Sequence, residues 1–126
     1  MHCAARLNNT TYRKFASDYK TLVESNIKVM DYFDTDMVSL ISDPYRATSA
    51  FGAPVEYVDE GVPRCLNQVI ETPEDIESLP DPEIFICQRT LDRIKGAEYF
   101  QQLLKGTVLV SGWIEGSLPR HAIWQG

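Results

Sequence analysis

Two stretches of the chain gather residue types that can do chemistry. In Ser42-Asp43-Pro44-Tyr45-Arg46 a carboxylate is flanked by a hydroxyl, a phenol and a guanidinium. A carboxylate held rigidly and partly out of water can stabilise a developing positive charge, and Tyr45 and Arg46 can meet an anionic ligand. Asp43 also precedes a proline, which is a common helix start, so a capping role competes with the chemical one. Both roles hold together only if one oxygen faces the backbone and the other a pocket. For Arg46 the simpler fate is a solvated helix face. In Gly112-Trp113-Ile114-Glu115-Gly116 the glycines allow close backbone approach by a ligand. There Trp113 can floor a flat ligand or pack into the core, and Glu115 is either a binding carboxylate or an exposed loop acid.

Other chemistries have no support in the spacing. His2 and His121 lie near opposite ends of the chain, and no HxxxH, HxC or ExxH pattern exists to hold a metal. GxGxxG, GxxxxGK[ST] and GxSxG are absent, so neither a nucleotide cofactor nor a hydrolytic serine is expected. Cys3, Cys65 and Cys87 are too widely spaced for a metal clip or a disulfide framework and are expected to be reduced thiols.

The elements that must position these residues follow from periodicity. Ser17-Asp18 can cap a helix whose buried face is Tyr19, Leu22, Val23, Ile27, Met30 and Phe33. Met37 to Ile41 is apolar on both parities, as in a strand covered on both faces. Asp43 as cap, Pro44 at the first helical position and Gly52 as stop predict a short helix between them. Pro54–Val58 and Arg64–Ile70 flank a turn and predict a hairpin. Thr72-Pro73-Glu74-Asp75 opens a turn or two of helix. A longer helix is expected from about Glu83 to Gly106, with Leu91, Ile94, Phe100, Leu103 and Leu104 apolar and Gly96 weakening it by about 1 kcal/mol. Thr107–Ser111 is a second buried strand. This α/β order suits parallel strands joined by crossovers. In barrels and open sheets alike, the loops after the strands form the active face. Those loops are the two stretches named first.

The chain has 126 residues, the length of one ordinary domain, with 18 acidic against 12 basic residues and a formal charge of −6. That balance opposes a phosphate-binding surface, so nucleic acid is not an expected partner. No stretch approaches the roughly 18 apolar residues of a membrane span, and Met1 to Arg6 lacks the apolar run of a signal peptide. A cytoplasmic protein is the default expectation.

Three segments carry a family resemblance: Phe33 to Arg46, Ala50-Phe51-Gly52-Ala53-Pro54-Val55-Glu56, and Val108 to Leu118. In them the chain resembles the uroporphyrinogen decarboxylase superfamily, nearest its branch of corrinoid-linked methyltransferases and uncharacterised relatives. The resemblance implies an α/β fold, the early strands and helices of a TIM (β/α) barrel with a hairpin insertion, over residues 1–118. Against a barrel of about 250 residues, the chain is then about half a domain.

The activities implied are cofactor-free decarboxylation of porphyrinogen acetate groups, or methyl transfer involving a corrinoid protein and a zinc-activated thiol. Asp43 matches the aspartate that reaches the pyrrole nitrogens of the substrate. Ser42, Tyr45, Arg46, Gly112, Trp113 and Glu115 are the implied substrate contacts. Protonating a pyrrole carbon makes a cationic electron sink for the departing carboxylate, and a fixed anion stabilises that charge.

Three features depart from the family. The arginine-rich segment near the start of the decarboxylases has no counterpart in Met1 to Asn9 beyond Arg6, and no part of the chain matches the zinc-ligand region of the methyltransferases. Residues 119–126 depart from the family's Leu-Ala-Glu-Ala-x-Asp-Leu helix in a way that a one-base deletion would produce, with natural divergence as the alternative. A cut barrel is expected to be inactive alone and to self-associate through open sheet edges. A small non-catalytic binding domain is the expectation of a different class.

Overall fold

Two short helices that periodicity does not announce open the chain, α1 (His2–Leu7) and α2 (Tyr12–Ser17). Six residues are too few for a repeat of 3.6 to register, yet Ala4, Ala5, Tyr12, Phe15 and Ala16 are all buried. Thr11 caps α2 by accepting the Lys14 N–H at 3.2 Å. The computed structural model describes residues 1–67, 70–82 and 84–113.

The helix expected from Asp18 is α3 (Tyr19–Phe33). The Asp18 carboxylate accepts the Thr21 N–H at 3.0 Å, as an N-cap does. Burial works against this carboxylate's charge, but the Thr21 hydroxyl, backbone N–H groups and Lys14 outweigh it and hold it below the usual range. Asp34 ends the helix in the left-handed region at φ 53°. Leu22 and Val23 are buried as the stripe predicts, whereas Phe33 is 55% exposed and packs edge-on against Tyr32.

After α3 come β1 (Met37–Ser39), α4 (Arg46–Ala50), β2 (Val55–Glu56), β3 (Arg64–Cys65), α5 (Pro73–Ser78), α6 (Gln88–Leu104) and β4 (Leu109–Ser111). β1 pairs with β4 in parallel, Met37 opposite Leu109, Val38 opposite Val110 and Ser39 opposite Ser111. β2 and β3 form the expected antiparallel hairpin, shorter than its apolar residues suggest, with Val55 opposite Cys65. Parallel neighbours separated by helices are compatible with a partial barrel. Because β1 and β4 run the same way, the loops after them leave the sheet at the same end.

Three expectations need correction. The strands are not covered on both faces, since Met37 is 53% and Leu109 65% exposed. Only one face of this two-stranded sheet meets the core, through Val38 and Val110. Pro44 does not start α4, which begins at Arg46 after a turn. α6 begins at Gln88 rather than near residue 83, which lies outside the described residues.

α3 and α6 enclose the core with Phe15, Leu22, Val23, Val38, Leu40 and Phe100. Gly96 explains how closely they approach. A Cβ there would sit 3.0 Å from Leu40 Cδ2 and 3.6 Å from Tyr19 Cβ. The missing side chain, which weakens the isolated helix, is what seats it. Gly96→Val is therefore expected to destabilise the protein by about 1–3 kcal/mol through overpacking, read as a lower urea midpoint.

Candidate functional site

The carboxyl end of β1 leads directly into Ser42 and Asp43, both buried. The Asp43 side chain is 0% exposed, and its oxygens are fully occupied. Oδ1 accepts the Tyr45 N–H at 3.0 Å, Oδ2 accepts the Ser42 hydroxyl at 2.8 Å, and Arg89 Nη2 donates to both oxygens at 2.6 Å. Asp43 thus closes the turn before α4 with one oxygen, and both oxygens face a guanidinium from the first turn of α6.

Arg46 is 3% exposed, so the expectation of a solvated helix face is corrected. Its Nε donates to Ser42 Oγ at 2.7 Å, Nη1 to the Arg89 carbonyl at 2.7 Å and Asp92 Oδ2 at 3.1 Å, and Nη2 to the Ala16 carbonyl at 3.1 Å. Every nitrogen of this side chain is committed to an internal acceptor. Asp92 Oδ1 accepts the Tyr19 N–H at 3.0 Å, which joins the start of α3 to the same network. Two acids and two guanidinium groups cancel one another's charge, as burial demands.

Two tyrosines flank the network. Tyr12, 1% exposed, donates its hydroxyl to the Ser42 carbonyl at 2.5 Å. Burial, with the Asp43 charge adding to it, pushes the Tyr12 phenol up to about 12. The Tyr57 ring lies 5.2 Å from the Arg89 guanidinium carbon. Its phenol is raised by burial, an effect that Arg89 opposes. Arg13 binds the Tyr57 carbonyl at 3.0 Å, tying the chain after β2 to α2.

The structure brings Ser42, Asp43 and Arg46 together, with the half-buried Tyr45 contributing its backbone N–H. Gly112 and Trp113 follow β4 at the same end of the sheet. Trp113 is 48% exposed and its carbonyl accepts from Arg93 at 3.1 Å. Glu115 and residues 119–126 lie outside the described residues. Sequence reasoning missed Tyr12, Tyr57, Arg89 and Asp92. The one signal available was Arg89, Asp92, Gly96 and Phe100 at helical steps, a face whose polar start hides it from a search for apolar stripes. Among the described residues no three His, Cys, Asp or Glu side chains converge to hold a metal.

Chemically, the site offers a shielded carboxylate gripped by one arginine. Arg46→Met is expected to cost about 3–5 kcal/mol, because it strands Asp92 without its counter-charge. The double variant Arg46→Met/Asp92→Leu should regain at least half of that loss in urea melts. For Tyr12, the folded value lies above the ordinary 10.0 of the unfolded chain. Its contribution is full below pH 10 and is lost as pH rises towards 12. Tyr12→Phe should therefore be less stable by about 1 kcal/mol at pH 8, with the gap to wild type narrowing at pH 11.

A family model of uroporphyrinogen decarboxylase (URO-D) matches residues 2–118, which takes in every residue of this network. No curated protein sequence is significantly similar to the chain. With the Ser-Asp pair seated at the end of a parallel strand and that match covering most of its length, the chain belongs to the uroporphyrinogen decarboxylase superfamily.

Proposed function

We propose that this chain is the Asp43-bearing early part of a decarboxylase-type barrel, and that it binds a porphyrinogen-like substrate without turning it over alone. The observation that carries this reading is the position of Asp43. It is a carboxylate at the carboxyl end of a parallel strand, around which the buried polar groups of the family-matched segment gather. The open sheet face supports the partial barrel, since Met37 and Leu109 are register partners and both exposed. An inward barrel face looks like this where further strands have yet to cover it.

In the complete reaction a pyrrole carbon of the substrate takes up a proton and the ring becomes cationic. The C–C bond to the acetate carboxylate then breaks, its electron pair returns to the ring, and carbon dioxide leaves. A proton then replaces it on the methylene carbon, and the proton first taken up by the ring carbon leaves, which restores the pyrrole. The role of Asp43 is to oppose the cationic charge at the pyrrole nitrogens.

A non-catalytic binding domain is the second reading, favoured by the saturation of every Asp43 oxygen. Anaerobic calorimetry with uroporphyrinogen on wild type and Asp43→Asn, together with product analysis for carboxyl loss, separates the two, because a binding domain whose Asp43 is already saturated binds the variant as tightly as wild type. The expected result is binding that weakens at least about tenfold in Asp43→Asn, the scale of one charge-assisted hydrogen bond, with no carboxyl loss. Asp43-dependent carboxyl loss by this chain would show that it needs no further barrel. Absence of binding would defeat both readings.

A further inference from the structure

The two buried ion pairs of the site are built differently. Arg46 is held at Nε, Nη1 and Nη2 by four internal acceptors. Arg89 uses Nη2 for both Asp43 oxygens and Nη1 for Ser49 Oγ at 2.9 Å, while its Nε is buried without an acceptor. In a guanidinium, Nε and Nη2 form one edge, the fork that grips a carboxylate through two parallel bonds. On Arg89 that fork is half used. Asp43 takes both of its bonds from a single nitrogen.

Exposure separates the pairs as well. The Asp43 side chain is 0% exposed and that of Arg89 is 12% exposed. A ligand arriving from solvent therefore meets Arg89 before it meets Asp43. Over the guanidinium lies the ring of Tyr57, just beyond a strand of two residues.

We propose that Arg89 is a carboxylate-binding residue and the latch on Asp43: a ligand carboxylate takes the Nε–Nη2 fork, and Asp43 is released to face the rest of the ligand. The exchange brings one more carboxylate into the site and leaves Asp43 without its guanidinium, so it goes furthest with a ligand that sets a cationic or N–H-donating group against Asp43. It also gives Nε the acceptor it lacks. Arg46 stays fixed throughout and holds Ser42 and the start of α6 in place. The inference rests on the reading that Asp43 faces the substrate, and it names the residue that admits that substrate.

The test is a titration of the isotope-labelled 126-residue chain with sodium succinate, followed through the backbone amide resonances of Tyr45 and Arg89. Sodium chloride at equal ionic strength is the control. The expected result is a saturable shift with succinate and none with chloride. Asp43→Asn should tighten succinate binding about tenfold by removing the competing carboxylate. Arg89→Lys, which keeps the charge and loses the fork, should weaken it about tenfold. Should Asp43→Asn fail to fold, wild type and Arg89→Lys decide the matter.

No saturable shift in wild type, an equal response to chloride, or undiminished binding by Arg89→Lys would overturn the proposal. The two readings separate in Asp43→Asn, where affinity for uroporphyrinogen should fall and affinity for succinate should rise.

Discussion

Four charges are withdrawn from water where the chain leaves β1, and most of the tertiary structure serves to keep each of them opposite its counter-charge. Asp43 and Arg46 come from the turn and helix after the strand, and Arg89 and Asp92 from the first turns of α6. A single buried charge left alone costs several kcal/mol, so these residues are tolerated only as a set. The set also fixes geometry. Arg46 reaches the last turn of α2, the start of α6 and the Ser42 hydroxyl, and Asp92 reaches the first residue of α3. One cluster therefore sets how three helices sit against the strand that carries the site.

The apolar core supplies the driving force for that arrangement, and the charged cluster supplies its register. Phe100, Leu22 and Val23 can slide past one another at modest cost because dispersion and burial have little direction. A guanidinium with four acceptors cannot slide. The bare α6 surface at Gly96 lets Leu40 lie close against the helix, and the ion pairs hold the helix at that height. Stability and site geometry thus rest on the same residues.

The elements marked by a repeat, an apolar run or a cap followed by proline were legible in the residues. α3 announced itself through Asp18 and its stripe, β1 and β4 through short apolar runs, and α5 through Thr72-Pro73. α1 and α2 were not legible, because six-residue helices carry too few turns to show a period and these two lack the proline start that marks α5. Their burial depends on α3 being there to cover them. Ser42 and Asp43 could be singled out because a polar pair straight after a buried strand is conspicuous. Arg89 and Asp92 could not, since they lie more than forty positions away and nothing local marks them as partners.

The sequence by itself determined the residue types at the end of β1, the order of elements and the family likeness, all of which are written in local spacing. Only the tertiary structure decided that Arg46 is buried rather than solvated, that one strand face is open, and that the Asp43 carboxylate looks at a guanidinium instead of an empty pocket. The physical reason is that secondary structure responds to neighbours within a few residues. The partner of a buried charge is chosen instead by which distant element can reach it at hydrogen-bonding distance once the core has closed.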